Sequence, residues 1–152
     1  MKGFLLIKPD YLKDTETIVE LAKSIIRERK LQISVVKVPH ISKITREFIT
    51  QFYEQQRTAL HFPIVVNYWT NKPTSLILLD GEDIFADTFK LAGAQTDPYN
   101  GNPGELRYEG RHLIAPEYRE DSNQRKLRNI VHRSDSDGNR TRELALLERL
   151  IE

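Results

Sequence analysis

The sequence contains no cysteine, which excludes a disulfide scaffold, thiol catalysis and thiolate metal sites. It also lacks an excess of either charge, because 23 Lys and Arg residues oppose 22 Asp and Glu residues. Such a balance gives no global field toward nucleic acid or a membrane surface. The apolar run Phe4–Ile7 ends at Lys8 and is too short for a signal-peptide core or a membrane span. We therefore expect a soluble, cytoplasmic protein that has neither a membrane nor nucleic acid as its partner.

What the chain does contain is a succession of strand-like and helix-like apolar patterns. Its 152 residues suit one domain with a real core. The order of the strand-like and helix-like patterns predicts an α+β fold, a mainly antiparallel sheet with helices packed on it. Strands are predicted at Phe4–Ile7, Leu31–Val38, Ile64–Trp69 and Ser75–Leu79, and helices over about 14–29, from Ser42, over about 82–91 and from about Arg140 to the end.

Two segments do not follow these patterns. Gly93–Gly104 is rich in glycine, proline and asparagine and must be a loop, and loops of that length inside compact domains are often functional. Tyr108–Arg128 is dense in charge and predicts a surface excursion. The second segment is open to two interpretations, a solvated loop or an element that serves a site.

A histidine lies in the polar segment Asn129–Ser136, between a β-branched pair and small polar residues. Eleven residues after His132, Glu143 stands in a helical pattern. A histidine held by a carboxylate keeps one ring nitrogen protonated and leaves the other free to attack. Taken alone, the segment favours an ordinary polar residue at a strand-to-helix turn. The rest of the chain favours a nucleophile.

The motifs that decide between these interpretations are spread along the chain. Lys8-Pro9-Asp10 after the first strand, the segment Asn129–Ser136, and Glu143 together resemble the nucleoside diphosphate kinase family. Thr96-Asp97-Pro98 followed by Pro103–Arg107 is similar to that family's loop pattern, Thr-Asn-Pro followed by Pro-Gly-Thr-Ile-Arg. The resemblance covers nearly the whole chain, in order. It implies a single ferredoxin-like domain over residues 1–152, a four-stranded antiparallel sheet with helices, and a charged surface insertion at about 108–128.

The resemblance also implies a reaction. His132 would accept the γ-phosphoryl group of a nucleoside triphosphate and pass it to a nucleoside diphosphate. Glu143, with help from Ser134, would hold the other ring nitrogen. Phosphoryl transfer depends mostly on positioning and cationic stabilisation. Further nucleotide contacts are implied at Lys8, Tyr53, His61, Lys90, Thr96, Arg107 and Asn129.

The same resemblance implies the cofactor and the partners. Mg²⁺ would arrive on the nucleotide phosphates rather than in a protein cage. Nucleoside di- and triphosphates would be the ligands, and a homo-oligomer is expected from the family. One covalent site that serves donor and acceptor in turn predicts ping-pong kinetics.

Several positions depart from the family pattern. Arg133 stands where the family has glycine, and could add positive charge to the transition state or fill the pocket. The family has an arginine in the helix before the loop. Counting forward from Gly81 places it at Phe89, and counting back from Thr96 places it at Lys90. The insertion after Arg107 carries several arginines, which we hypothesise replace a missing phosphate contact.

These departures leave two alternatives to an active enzyme. The first is a catalytically impaired nucleotide-binding pseudo-enzyme with a regulatory or scaffolding role. The second is a nucleic-acid-binding module, since ferredoxin-like sheets can bind RNA. The near-neutral charge and the absence of an aromatic RNA-binding strand motif disfavour the second alternative.

Overall fold

A five-stranded antiparallel sheet organises the chain in the computed structural model, which describes residues 1–151. The strands are β1 (Lys2–Ile7), β2 (Ile33–Lys37), β3 (His40–Ile44), β4 (Lys72–Gly81) and β5 (Val131–His132). The helices are α1 (Thr15–Arg29), α2 (Arg46–Phe52), α3 (Phe62–Trp69), α4 (Ile84–Ala92), α5 (Leu106–Glu109), α6 (Ser122–Leu127) and α7 (Asp137–Glu148). No helix among the described residues is long and apolar enough to cross a membrane.

Four of the strands form the sheet that the family resemblance implies. Their order is β2-β4-β1-β5, and each pairing is antiparallel. The short strand β3 pairs with β4 beside β2 and adds a fifth member. The expected α+β, ferredoxin-like fold is therefore confirmed, with one more strand than predicted.

Apolar side chains cover both faces of β1. Leu5 and Ile7 belong to the core on the side of α1 and α4. Phe4 and Leu6 belong to the core on the side of α2, α3 and α7. A strand buried on both faces shows a continuous apolar run instead of an alternating one. This explains why Phe4–Ile7 contains no polar residue.

Two predicted elements are wrong. The segment predicted as a strand at Ile64–Trp69 forms helix α3. Its β-branched and aromatic residues suggested a strand, but Pro63 in the first turn favours a helix, and a short apolar run does not distinguish the two by periodicity. The helix predicted from Ser42 begins at Arg46 instead, where Thr45 caps it by accepting from Phe48 N.

The two irregular segments differ in how they pack. Residues 93–104 form a loop with one 3₁₀ turn, Pro98–Asn100, which we call loop 93–104. Residues 108–128, the inserted segment, end α5 and continue through two 3₁₀ turns into α6. Ile114, in the middle of this segment, is fully buried in the core. The inserted segment is therefore partly a core element, which its charge density did not predict.

Candidate functional site

Strand β5 fixes the position of His132. His132 pairs with Leu6 and Val131 pairs with Ile7 across the antiparallel ladder. The strand starts from a tight turn, because Val131 N donates to Asn129 O at 3.0 Å. Ile130, at the centre of this turn, has a φ of 79°. A β-branched residue at positive φ is strained, and such strain concentrates at functional sites.

A carboxylate holds one nitrogen of the His132 ring. Nε2 of His132 lies 2.7 Å from Oε1 of Glu143. Ser134 Oγ donates to the same carboxylate oxygen at 2.9 Å. Glu143 is only 5% exposed, so water does not replace these partners. The predicted triad of histidine, glutamate and serine is assembled.

The second ring nitrogen faces Tyr53. A carboxylate only accepts hydrogen bonds, so Nε2 of a neutral His132 carries the proton and Nδ1 keeps a free lone pair. The hydroxyl of Tyr53 lies 3.2 Å from Nδ1. Burial, followed by the charge of Glu143, raises the pKa of Tyr53, so its hydroxyl stays protonated and donates to Nδ1. The arrangement leaves Nδ1 as the nitrogen that can attack.

A cavity of about 170 Å³ opens beside this ring. Phe52 meets His132 edge to face, with ring centroids 5.1 Å apart, and forms one wall. Gln56 and Arg142 border the cavity with their polar side chains. Arg142 also donates to the backbone oxygen of Phe52 at 2.9 Å. The cavity therefore offers polar groups next to the His132 ring.

Two buried cations lie near the histidine strand. Lys8 follows β1, and its Nζ donates to Leu127 O at 2.9 Å. Burial, followed by the charge of Arg107, lowers the pKa of Lys8 to about 7. Arg107 donates from Nε and Nη2 to Val131 O, and burial followed by the charge of Arg133 lowers its pKa to about 9. A bound anion would relieve both effects.

Side chains from three residues hold four successive carbonyls of loop 93–104. Arg133 donates to Gly93 O at 2.9 Å and to Ala94 O at 3.0 Å. Arg107 donates to Gln95 O at 3.3 Å. Asn129 Nδ2 donates to Thr96 O at 3.0 Å. The start of the loop is therefore fixed against the segment that carries His132.

The departures from the family pattern have defined positions. The guanidinium of Arg133 lies 3.9 Å from the ring centroid of Phe89, on α4. Arg133 is 8% exposed; it donates to the loop carbonyls, and its Nη1 also binds Asp135 at 3.3 Å. Lys90 is exposed and approaches Asp87 at 4.0 Å, on a different face of α4 from Phe89. Phe89 rather than Lys90 therefore faces the residues near His132.

The remaining predicted contacts lie at the edge of this cluster. The side chain of Thr96 is exposed on loop 93–104. His61 is exposed at the start of α3 and lies 2.9 Å from Gln56 Oε1, which connects it to the cavity. Within residues 1–151, the Oδ1 atom of Asn129 is buried without a hydrogen-bond partner. It is an acceptor that a ligand hydroxyl could satisfy.

Sequence reasoning missed the ion pairs that support the site. Arg125, in the inserted segment, binds Asp97 at 2.8 Å, and Arg128 binds Asp10 at 2.5 Å. Asp97 stands where the family pattern has asparagine, which was the one available signal for the first pair. Both arginines are among those that we hypothesise replace a missing phosphate contact, and in the structure each binds a carboxylate.

The fold and the site together suit one class of chemistry. A histidine with one nitrogen held by a carboxylate and an unprotonated lone pair on the other can form a covalent intermediate. Buried lysine and arginine nearby are typical of sites that transfer phosphoryl groups. These features define a candidate phosphotransferase site.

Comparisons with known proteins give the family. The family model for nucleoside diphosphate kinase matches residues 2–149. The nucleoside diphosphate kinase of Thermosynechococcus vestitus is 30% identical over 145 residues, which cover 95% of this chain and 85% of that protein. That of Saccharolobus solfataricus is 29% identical over 95% of this chain and 92% of that protein. The chain belongs to the nucleoside diphosphate kinase family, which confirms the resemblance and supports phosphate transfer between nucleotides as its activity.

Solved structures agree on the fold. A nucleoside diphosphate kinase from Aquifex aeolicus superposes with a TM-score of 0.72 at 19% identity, covering 99% of this chain and 98% of that one. The halophilic nucleoside diphosphate kinase from Halobacterium salinarum, solved in complex with CDP, gives a TM-score of 0.66 at 21% identity, covering 96% of this chain and 86% of that one.

Proposed function

We propose that this protein transfers the γ-phosphoryl group of a nucleoside triphosphate to a nucleoside diphosphate through phosphorylated His132. In the first half, the Nδ1–phosphorus bond forms as the bond from the γ-phosphorus to the bridging oxygen breaks, and the nucleoside diphosphate leaves. In the second half, a terminal oxygen of another nucleoside diphosphate attacks the phosphorus and the bond to Nδ1 breaks. The two halves share one site, so the kinetics are ping-pong.

One observation carries this proposal, the 2.7 Å contact between Nε2 of His132 and Glu143. It directs the proton to Nε2 and leaves the lone pair on Nδ1. As Nδ1 forms its bond to phosphorus, positive charge develops on the imidazole. The buried carboxylate of Glu143 stabilises that charge without taking the proton. Ser134, which donates to the same carboxylate, keeps Glu143 in place.

Cations and polar groups would bind the nucleotide. Lys8 and Arg107, both buried, would contact phosphate oxygens and exchange their present carbonyl partners for them. Asn129 would use its unpartnered Oδ1 on a sugar hydroxyl. Thr96 and His61, which are exposed, would contact the phosphates and the base. The CDP in the complex of the Halobacterium salinarum relative supports a nucleotide as ligand.

Mg²⁺ belongs to the ligand in this proposal. The Glu143 carboxylate is engaged by His132 and Ser134, and the groups proposed to meet the nucleotide are amide, hydroxyl, imidazole, ammonium and guanidinium, which suit phosphate oxygens. Mg²⁺ prefers oxygen ligands and keeps several waters, so it would be held by the nucleotide phosphates and would neutralise part of their charge. A homo-oligomer and a cytoplasmic location remain predictions.

Labelling with γ-phosphate-labelled ATP and Mg²⁺ tests the proposal. We expect label that is stable to alkali and labile to acid, because phosphohistidine has that stability. The label should be absent from His132→Ala and unchanged in His112→Ala, which removes an exposed histidine. Label that persists in His132→Ala would disprove the proposed nucleophile. A protein that binds nucleotide but never becomes labelled would instead be the impaired pseudo-enzyme.

A further inference from the structure

One partly buried ion pair connects the inserted segment to loop 93–104. Arg125, in α6, donates from Nε and Nη2 to the two carboxylate oxygens of Asp97, at distances from 2.8 to 3.2 Å. The side chain of Asp97 is 3% exposed and that of Arg125 is 16% exposed. A planar pair with several hydrogen bonds fixes direction as well as distance.

Asp97 organises the part of the loop around it. It directly follows Thr96, and its Oδ1 accepts from Tyr99 N at 3.0 Å at the start of the turn Pro98–Asn100. The hydrogen bond from Arg125 keeps the pKa of Asp97 below its usual value. A buried carboxylate that loses its cation is strongly destabilising. The shape of the loop next to Thr96 therefore depends on Arg125.

Arg125 is itself held in place. Its Nη1 donates to Arg119 O at 2.7 Å, and its guanidinium lies 4.6 Å from the ring centroid of Tyr99. Arg119 in turn donates from Nε to Ile114 O at 2.7 Å. Because Ile114 is fully buried in the core, a continuous set of contacts connects the core to the loop.

We propose that Arg125 is a positioning residue that holds loop 93–104, and Thr96 in particular, in the conformation that binds nucleotide phosphates. In this proposal Arg125 makes no direct contact with the nucleotide, because Nε and Nη2 bind Asp97 and Nη1 donates to Arg119 O. The inserted segment supports the loop instead of adding a phosphate ligand. This inference rests on the proposed function, because it takes the nucleotide to bind along loop 93–104.

Removing the charges of Arg125 and Asp97 singly and together distinguishes support of the loop from direct contact between Arg125 and the nucleotide. In Arg125→Gln, Asp97 remains buried without its cation, and the Kd for ADP with Mg²⁺, measured by calorimetry, should rise ~tenfold. In Arg125→Gln/Asp97→Asn neither charge remains, and Kd should return to within ~threefold of the unaltered protein. Lys126→Gln removes an exposed cation from the same helix and is the control, with no change in Kd expected.

Comparing KM with kcat separates a change in loop position from a general destabilisation of the fold, which would lower kcat as well. In Arg125→Gln, KM should follow Kd, while kcat at saturating nucleotide should change less than ~threefold, because His132 and Glu143 are untouched. In the Asp97→Asn background, Arg125→Gln should have almost no further effect. That comparison remains available if the single variant does not fold.

Two results would overturn the positioning role. A double variant as weak as Arg125→Gln would mean that Arg125 binds the phosphates itself. An equal Kd in Arg125→Gln and Lys126→Gln would mean that the pair does not support the loop. ADP binding requires no phosphoryl transfer, so the result is independent of labelling. Absent label with intact ADP binding would count against the proposed function alone.

Discussion

The two sides of His132 are built from different kinds of contact. On the ring side, Glu143 and Tyr53 bind the imidazole nitrogens through side-chain hydrogen bonds of 2.7 and 3.2 Å. On the phosphate side, Lys8 and Arg107 donate to backbone carbonyl oxygens. The ring side is thus complete without a ligand, while the phosphate side has its cations engaged with the chain.

This difference explains where the chain tolerates change. The groups that orient the ring match the family pattern, whereas Arg133, Phe89 and the inserted segment, which depart from it, all lie on the phosphate side. Phosphate contacts can be exchanged among several cations, since each supplies charge and hydrogen bonds. A single nitrogen lone pair has no such substitute.

The largest effect should come from the ring side. Glu143→Gln keeps the shape of the side chain but removes the charge that stabilises the developing imidazolium. We expect labelling of His132 to slow ~100-fold, with the Kd for ADP near that of the unaltered protein. Glu148→Gln, an exposed change on the same helix, is the control. Unchanged labelling rates would show that Glu143 and His132 are not coupled.

A change in the inserted segment should alter stability more than chemistry. Ile114→Ala removes a fully buried side chain and should lower the free energy of unfolding by about 2–4 kcal/mol. Trimming residues 110–126 to a short linker also removes Ile114, so the melting temperature should fall. Denaturant unfolding should rank the trimmed protein at or below Ile114→Ala. A trimmed protein as stable as the original would make the segment an independent surface element.

Substitution of Arg133 should have a smaller effect, on the KM for nucleotide, and tests the contacts on the phosphate side. Arg133→Lys keeps the positive charge but replaces the planar guanidinium, which donates to Gly93 O and Ala94 O from two separate nitrogens, by a single shorter ammonium group. If the bridging geometry holds the loop, KM for nucleotide should rise ~threefold to tenfold in Arg133→Lys and also in Arg133→Gly. Steady-state kinetics would measure this. A lysine variant with normal KM would indicate that charge alone matters.

The smallest predicted effect is the uptake of protons by Lys8 when a nucleotide binds. The pKa of Lys8 is lowered to about 7 by burial, so above neutral pH much of the unbound protein has Lys8 uncharged. A bound phosphate would raise that pKa, and binding would take up less than one proton per nucleotide. Affinity should therefore fall as pH rises from neutral. Calorimetry in buffers of different ionisation enthalpy measures the uptake, which Lys8→Arg should remove. Buffer-independent heats above neutral pH would contradict the prediction.

Much of the fold followed from the sequence. The apolar run Phe4–Ile7 and the helical spacing of Ile18, Ala22 and Ile25 correctly predicted β1 and α1. Ile64–Trp69 was assigned wrongly, because tertiary packing and a proline in the first turn outweighed its strand-forming residues. Periodicity over so few positions carries too little information to decide.

The site was predictable where contacts follow from a motif. His132, Ser134 and Glu143 come together as expected, because a strand end and the following helix bring them to one face. The Arg125–Asp97 pair joins positions far apart in sequence, and the aspartate in place of the family's asparagine does not indicate which cation it meets. The direction of Arg133 was equally unpredictable, since it depends on the path of loop 93–104.

The position of the phosphoryl group on His132 tests the central claim most directly. Nitrogen-resolved NMR of the phosphorylated protein distinguishes a phosphate on Nδ1 from one on Nε2. Because Glu143 holds Nε2 and Tyr53 donates to Nδ1, the phosphate should be on Nδ1, with the proton still on Nε2. Phosphate on Nε2 would contradict the assignment of Glu143 as the group that orients the ring.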